Sequence, residues 1–431
     1  MKIPHLRWLI AVALLMAAVL NYIDRSVLGL LAQTIQNDLH ISDQQYAVVI
    51  NSFLVAYTVA YLLSGRVVDK LGVRLSLALF VGWWSLSNAL TGLAQSVRSL
   101  SVFRFMLGLG EAGGFTASPK AISEWFPPSE RGIAVGIYSV GGAVGATIAP
   151  ILVAVIAVNY GWRWVFAVSP VAVGIWMVLW LWLYKKPSEH PYITEKERIL
   201  LAANEIPAQA GGPVEEKLSE RELWGRVFRE PFVWQLMFAR LLTDPVWYFY
   251  QFWMPKYLQS ARGLDQKGVA IMWMIFLAAD AGFLISGFLS GRLVKRGMAA
   301  PAARLRVMLP CACLVPLSFF VPAAPTVAVV IAIGMVVTFA HTAWLSTLTS
   351  LVIDIVPGRI LGTAFGVIAC GSTLGGIFMN QIVAWFIGHR SYDDCFYLMT
   401  ILHPLALVLI WGLRKRGTPV SAAQLSSAAA R

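Results

Sequence analysis

The chain has 431 residues, a formal net charge of +12, 58% hydrophobic and 13% charged residues, and a mean hydropathy of +0.69. A soluble domain carries roughly 25% charged residues, and no single soluble core grows large enough to bury this much apolar surface. This excludes an ordinary soluble globular protein and makes lipid the solvent. The basic excess does not point to nucleic acid, because the Arg and Lys residues sit in short loops between apolar runs, the pattern that orients membrane helices. Cys311, Cys313, Cys370 and Cys395 lie in apolar stretches without ligand spacing or a disulfide framework. No metal site and no cofactor are expected.

A transmembrane helix needs about 20 apolar residues. In chain order the apolar runs predict spans at 8–32, 44–66, 74–95, 99–124, 131–157 and 162–184, then 231–257, 267–291, 305–322, 326–353, 360–388 and 394–413. The first run passes Asp24 and Arg25 and continues to about Leu31, which argues for a retained helix instead of a cleaved signal peptide. Arg66, Lys70, Arg74, Arg131, Arg292, Lys295, Arg296, Arg304, Arg306, Arg359 and Arg414-Lys415-Arg416 fall on one side, while the other offers little beyond Arg98, Arg163, Arg262, Lys267 and Arg390. The asymmetry places both termini in the cytoplasm.

The fold class this predicts is all-α integral membrane, with an N-terminal six-helix bundle (1–184), a cytoplasmic linker (185–230), a C-terminal bundle (231–413) and a tail (414–431). The linker is charged, contains Pro187, Pro207, Gly211, Gly212 and Pro213, and has helical character only around Glu195–Ala203. The halves repeat. Pro127, Gly132, Ala134, Gly136, Gly141, Gly145 and Phe166 recur as Pro357, Gly362, Ala364, Gly366, Gly371, Gly375 and Phe396, every pair separated by 230 positions. One constant offset over seven positions is improbable by chance, and parallel six-helix repeats are a transporter architecture. Glycines four apart within each repeat allow close helix approach.

Ionisable residues inside spans are functional candidates, because a mid-membrane charge costs at least ~2.5–3.5 kcal/mol. Asn21-Tyr22-Ile23-Asp24-Arg25 lies well inside helix 1. In helix 4, Arg104, Gly108 and Glu111 share one face. At ~1.5 Å per residue Arg104 and Glu111 are about two turns apart, more readily bridged through substrate or water than paired directly. Glu124 and Lys120 are expected near the solvated end of helix 4, and Glu130 and Arg131 read as loop charges.

The loop after helix 2 reads Gly65-Arg66-Val67-Val68-Asp69-Lys70-Leu71-Gly72-Val73-Arg74. This resembles the major facilitator signature G-x-x-x-D-K/R-x-G-x-R, a charged latch in which Asp69 caps or pairs with a helix end while Lys70 and Arg74 stay in water. In the second half Gly291-Arg292-Leu293-Val294-Lys295-Arg296-Gly297 puts Lys295 in place of the acid. Asn21-Tyr22-Ile23-Asp24-Arg25-Ser26 and Arg104-Phe105-Met106-Leu107-Gly108-Leu109-Gly110-Glu111-Ala112 are similar to the anion:cation symporter branch of that superfamily. The resemblance implies that Arg25 binds the substrate carboxylate, that Asp24 and Glu111 carry protons, and that Arg104 couples to Glu111. It further implies that Tyr22, Tyr57 and Trp344 line the substrate site.

Where sugar-acid relatives often carry a glutamine in helix 5, this chain has Gly142. The run from Asp244 to Tyr257, with Ala278-Ala279-Asp280-Ala281-Gly282 and His341-Thr342-Ala343-Trp344, looks closest to hexuronate transporters. Rings offering apolar faces with OH or NH donors suit sugars, which adds Tyr250 and His341 to the site. An interfacial aromatic belt is the alternative for Trp247 and Tyr257. His341 is a proton carrier or, in the simpler reading, a hydrogen-bonding partner of a neighbour or the substrate. Asp280 is open between structural pairing and function.

The resulting expectation is a monomeric bacterial inner-membrane carrier that symports protons with a hexuronate by alternating access, contacting lipid and no nucleic acid. The alternatives are symport of another organic anion such as an aldonate or small carboxylate, and a drug:proton antiporter, which would not need Arg25 and Arg104. A phosphate-ester antiporter would lack paired acids. A membrane enzyme or receptor has no catalytic, metal or nucleotide constellation here to stand on.

Overall fold

A computed structural model describes residues 2–126, 128–205, 220–356 and 360–415. Its helices are α1 (Leu6–Leu30), α2 (Ala32–Leu39), α3 (Asp43–Thr91), α4 (Val97–Trp125), α5 (Pro128–Tyr160), α6 (Trp162–Leu183), α7 (Glu195–Glu205), α8 (Glu220–Arg229), α9 (Pro231–Phe252), α10 (Met254–Ser260), α11 (Met272–Lys295), α12 (Ala300–Leu314), α13 (Val327–Ile355), α14 (Leu361–His389) and α15 (Tyr392–Ile410). The chain divides into two compact units, Met1–Lys217 and Leu218–Arg431.

In the first unit the six spans are α1, the two segments of α3, α4, α5 and α6. α3 is interrupted at Gly72, whose φ of 73° and ψ of 164° suit glycine alone. A Cβ at Gly72 would have open space around it, so this motif glycine is required by backbone conformation and not by crowding. Arg74 beyond the break donates to the Leu181 carbonyl at the end of α6, and the Trp180 indole returns a bond to the Arg74 carbonyl at 3.0 Å. For Gly65, Arg66 and Asp69 only the helical backbone is described, so the latch expected of Asp69 lies outside the described side chains; Lys70 is exposed. α3 and α4 begin with reciprocal capping boxes, Ser42 with Gln45 and Ser96 with Ser99.

In the second unit the spans are α9 with α10, α11, α12 with the 3₁₀ turn that follows it, α13, α14 and α15. The seventh span breaks at Trp253 because Pro255 has no N–H to continue the ladder. α12 begins at Ala300, five residues before the predicted start at 305, with Pro301 in its first turn. Eight described helices are long and apolar enough to cross a membrane by length and composition. The spans outside that group include α4 and α9, which carry Arg104 with Glu111 and Arg240 with Asp244.

The repeat has a packing cause visible in each unit separately. A Cβ at Gly141 or Gly145 would stand 2.3 or 2.4 Å from the carbonyl oxygens of Leu15 and Val19, so α5 lies backbone to backbone on α1. A Cβ at Gly371 or Gly375 would stand 2.1 or 2.4 Å from those of Met237 and Leu241, giving α14 on α9 the same contact. Pro127 and Pro357 fall outside the described residues.

The linker is more ordered than its composition predicts. α7 runs to Glu205, and α8 is a helix the sequence reading did not anticipate; residues 206–219 lie outside the described set. Glu197 of α7 accepts from the backbone N–H groups of Leu6 and Arg7 at 3.1 and 3.2 Å, capping α1 from another part of the chain. Arg7 pairs with Glu197 and with Glu130, each at 2.8 Å. Glu130 is therefore not a plain loop charge: it sits in the first turn of α5 and binds Arg7. Glu124 is likewise engaged, accepting from the Tyr184 hydroxyl at 2.7 Å. The arginines that run against the charge asymmetry have local work. Arg163 pairs with Asp38 at 2.7 Å, and Arg262 donates to the carbonyls of Val321, Pro322 and Ala324.

Candidate functional site

In the first unit α1 and α4 bring the four predicted charges into one buried cluster. Arg25 directs Nε and Nη2 at the same oxygen of Glu111, Oε2, at 2.8 and 2.7 Å. Glu111 is fully buried, and its Oε1 has no hydrogen-bond partner among the described residues. The Arg25 guanidinium is ringed by aromatic faces, its Cζ 5.2 Å from the Tyr22 centroid, 5.7 Å from Phe53 and 5.0 Å from Tyr57. Such rings stabilise a cation without neutralising it.

Arg104 is not the residue that holds Glu111. Its side chain is fully buried over the Phe53 ring at 5.5 Å, and none of its guanidinium nitrogens has a hydrogen-bond partner among the described residues. The two-turn separation on α4 explains this: neighbours on a helix face meet at three or four residues, not seven. Arg25, arriving from α1, takes the carboxylate instead.

Asp24, also fully buried, accepts from the Asn88 side chain at 2.9 Å, and its Oδ2 has no hydrogen-bond partner among the described residues. Sequence reasoning missed Asn88, which sits in an ordinary polar-and-apolar stretch of α3. Beside it, Asn21 and Trp84 keep unpartnered polar atoms against a cavity of about 10 Å³ that Ser118 and Tyr138 also line. That volume and polarity suit about one water. Gly142 has a specific neighbour, because a Cβ there would lie 2.7 Å from Cε2 of Tyr22. The tyrosine ring occupies the slot into which a longer side chain at 142 would project.

The second unit carries a different polar group. His341 Nδ1 and His403 Nε2 lie 3.3 Å apart, and both rings are fully buried. Trp247 stacks on His341 with centroids 6.2 Å apart, and Trp344 meets His403 edge-on at 5.3 Å. Trp247 is half-buried and joins this cluster through that ring contact. Tyr257 accepts from Arg262 at 2.7 Å. One nitrogen of each histidine, the Trp344 indole N–H and the Tyr250 hydroxyl have no partner among the described residues. One turn apart on α9, Arg240 and Asp244 form an ion pair at 2.8 Å. Asp280 is half-buried on α11. Sequence reasoning missed His403 and Arg240; the i,i+4 spacing of Arg240 and Asp244 was a legible signal for the latter.

Among the described residues no group of three or more His, Cys, Asp or Glu side chains could hold a metal ion. Six spans in each unit, with charge buried among apolar helices, define a polytopic membrane protein. A family model described as Major Facilitator Superfamily matches residues 14–379, and the chain belongs to that superfamily, whose members are transporters and not enzymes. The hexuronate transporter of Escherichia coli strain K12 is 31% identical over 429 residues, covering 98% of this chain and 97% of the relative. The galacturonate transporter of Dickeya chrysanthemi is 33% identical over 290 residues, covering 67% of this chain and 82% of its own. Among solved structures, a bacterial homologue of the human lysosomal transporter Spinster superposes with a TM-score of 0.76 at 18% identity, covering 98% of this chain and all of that one. The D-xylose–proton symporter gives a TM-score of 0.73 at 14% identity, covering 95% and 98%. These structures establish the fold: twelve transmembrane helices, six in each half.

Proposed function

We propose that the chain is a proton-coupled symporter of a sugar-acid anion, with a hexuronate such as glucuronate or galacturonate as the substrate. The observation that carries this reading is the Arg25–Glu111 pair. An arginine is suited to a substrate carboxylate by its fork of donors, but here a protein carboxylate already engages it. A proton on Glu111 removes that competitor, and an incoming carboxylate replaces it on the same guanidinium. Protonation and anion binding therefore favour one another, which is the sign of coupling that symport requires. A cation exporter would have no use for an arginine in this place.

Asp24 is the second proton carrier. Asn88 donates to it, and among the described residues no arginine hydrogen-bonds it. Arg104 supplies the permanent positive charge that keeps a doubly charged acid pair tolerable in lipid. In the second unit the unpartnered atoms of His341, Trp344 and Tyr250 are donors and acceptors of the kind that hydroxyls use. The hexuronate and galacturonate relatives support the substrate class. The carrier acts as a monomer in the bacterial inner membrane with both termini in the cytoplasm.

The test is counterflow of labelled glucuronate, galacturonate and galactonate in proteoliposomes. Saturable counterflow of a hexuronate, faster at acidic external pH, is expected. Counterflow of galactonate alone would move the assignment to aldonates, and none with any of the three would end it.

A further inference from the structure

The charge of the second unit is distributed oddly. From residue 281 to residue 353 the sequence has five Arg or Lys residues and no Asp or Glu. Arg304 finds Asp354 at 3.0 Å and the Ser290 hydroxyl at 2.6 Å. Arg292, Arg296 and Arg306 have no ion pair among the described residues, and all three are exposed. They are gathered by topology: Arg292 and Arg296 end α11, Arg306 lies in the second turn of α12, and a short turn joins the two helices.

These arginines rim a crevice of about 330 Å³ between α11, α12 and α13. Away from that rim the walls are apolar, with Leu289, Pro310, Leu314 and Phe339 among them. From Arg306 to Leu314 is eight residues of helix, so the crevice extends roughly 12 Å from its charged mouth. The outer faces beside it carry Leu284 and Phe288, 68% and 67% exposed, as befits helices facing hydrocarbon.

A basic mouth at one end of a spanning hairpin with an apolar slot leading inward fits one class of molecule. We propose that this crevice binds an anionic phospholipid, its phosphate held by Arg292, Arg296 and Arg306 and one acyl chain lying along Leu289, Leu314 and Phe339. A zwitterionic lipid fills the slot equally well but brings no net negative charge, and an inorganic anion meets the arginines without using the slot. None of the residues proposed for transport lines the crevice, and its readout needs no transported substrate.

Native mass spectrometry of the full chain, titrated with phosphatidylglycerol or phosphatidylcholine of identical acyl chains, tests this. Wild type should retain the anionic lipid at least about tenfold better, since each juxtamembrane arginine contributes severalfold. R292Q/R296Q/R306Q should bring the two lipids level. K186Q/K196Q/R221Q, which removes as much charge elsewhere, should leave the preference intact; equal loss in that control would reduce the effect to generic attraction and overturn the site. Leu289→Trp fills the slot without touching charge and should also weaken retention. Unchanged retention in that variant, no preference in wild type, or complete displacement by millimolar inorganic phosphate would each reject the proposal.

Discussion

Both halves bury an arginine–carboxylate pair, and they do so differently. In the first unit Arg25 on α1 meets Glu111 on α4, two helices whose relative placement is set only by packing. In the second unit Arg240 and Asp244 sit one turn apart on the same helix, α9. An intrahelical pair stays together whatever its helix does, and its charge is neutralised on the spot. An interhelical pair is a contact that a proton or a competing anion breaks, and breaking it changes what holds α1 to α4. The same glycine scaffold, repeated at an interval of 230 residues, thus accompanies an interhelical pair in one half and an intrahelical pair in the other. The imidazoles of His341 and His403 add a second contact to that half, bonding each other without a formal charge pair.

The strongest way to break this contrast is Arg25→Lys. The lysine keeps the charge but loses the planar fork of donors that suits a substrate carboxylate, and a charged hydrogen bond is worth about 1.5–3 kcal/mol. Hexuronate affinity of the purified variant should fall by roughly ten- to a hundredfold. Near-normal affinity by isothermal titration would remove Arg25 from the site.

Next is Glu111→Gln, which mimics the protonated acid. It should bind substrate and exchange it across the membrane while losing accumulation driven by a pH gradient. Asp244→Asn should keep gradient-driven accumulation, at a lower protein yield because Arg240 is left unpaired. Should Glu111→Gln concentrate substrate like wild type, the coupling role passes to Asp24.

A smaller effect separates one proton carrier from two. If Asp24 and Glu111 both load, two protons accompany each monoanion and one net positive charge enters. A potential of 100 mV, inside negative, then adds ~2.3 kcal/mol to accumulation. Uptake into proteoliposomes at a fixed pH gradient, with potassium-diffusion potentials of either sign, reads this directly. Insensitivity to voltage would leave one proton per substrate, and Asp24 a structural acid.

The smallest expected difference is between Gly145→Ala and Gly375→Ala. Each places a methyl group against a backbone carbonyl oxygen 2.4 Å away, and overpacking of this kind costs about 1–3 kcal/mol. Thermal unfolding in detergent should show similar losses for the two. A large loss in one half only would mean that the repeated glycines do not do equivalent packing work.

The spans, the repeat and the buried charges were legible from residue order alone. Twenty-residue apolar runs separate spans from loops because lipid cannot solvate an open backbone, and Asp24, Arg25, Arg104 and Glu111 stand out because charge in such runs is costly. Helical periodicity also placed Arg104 and Glu111 on one face of α4. What it could not decide was partnership. Glu111 is bound by Arg25, 86 positions away, and not by the arginine on its own helix; Asp24 meets Asn88, 64 positions away; His341 meets His403, 62 positions away. The capping of α1 by Glu197 crosses 191 positions. Periodicity ranks neighbours within a helix, whereas these contacts depend on how close and in what register different helices pack. The close approaches at Gly141, Gly145 and their repeats help set that register, and only the folded chain shows where it lands.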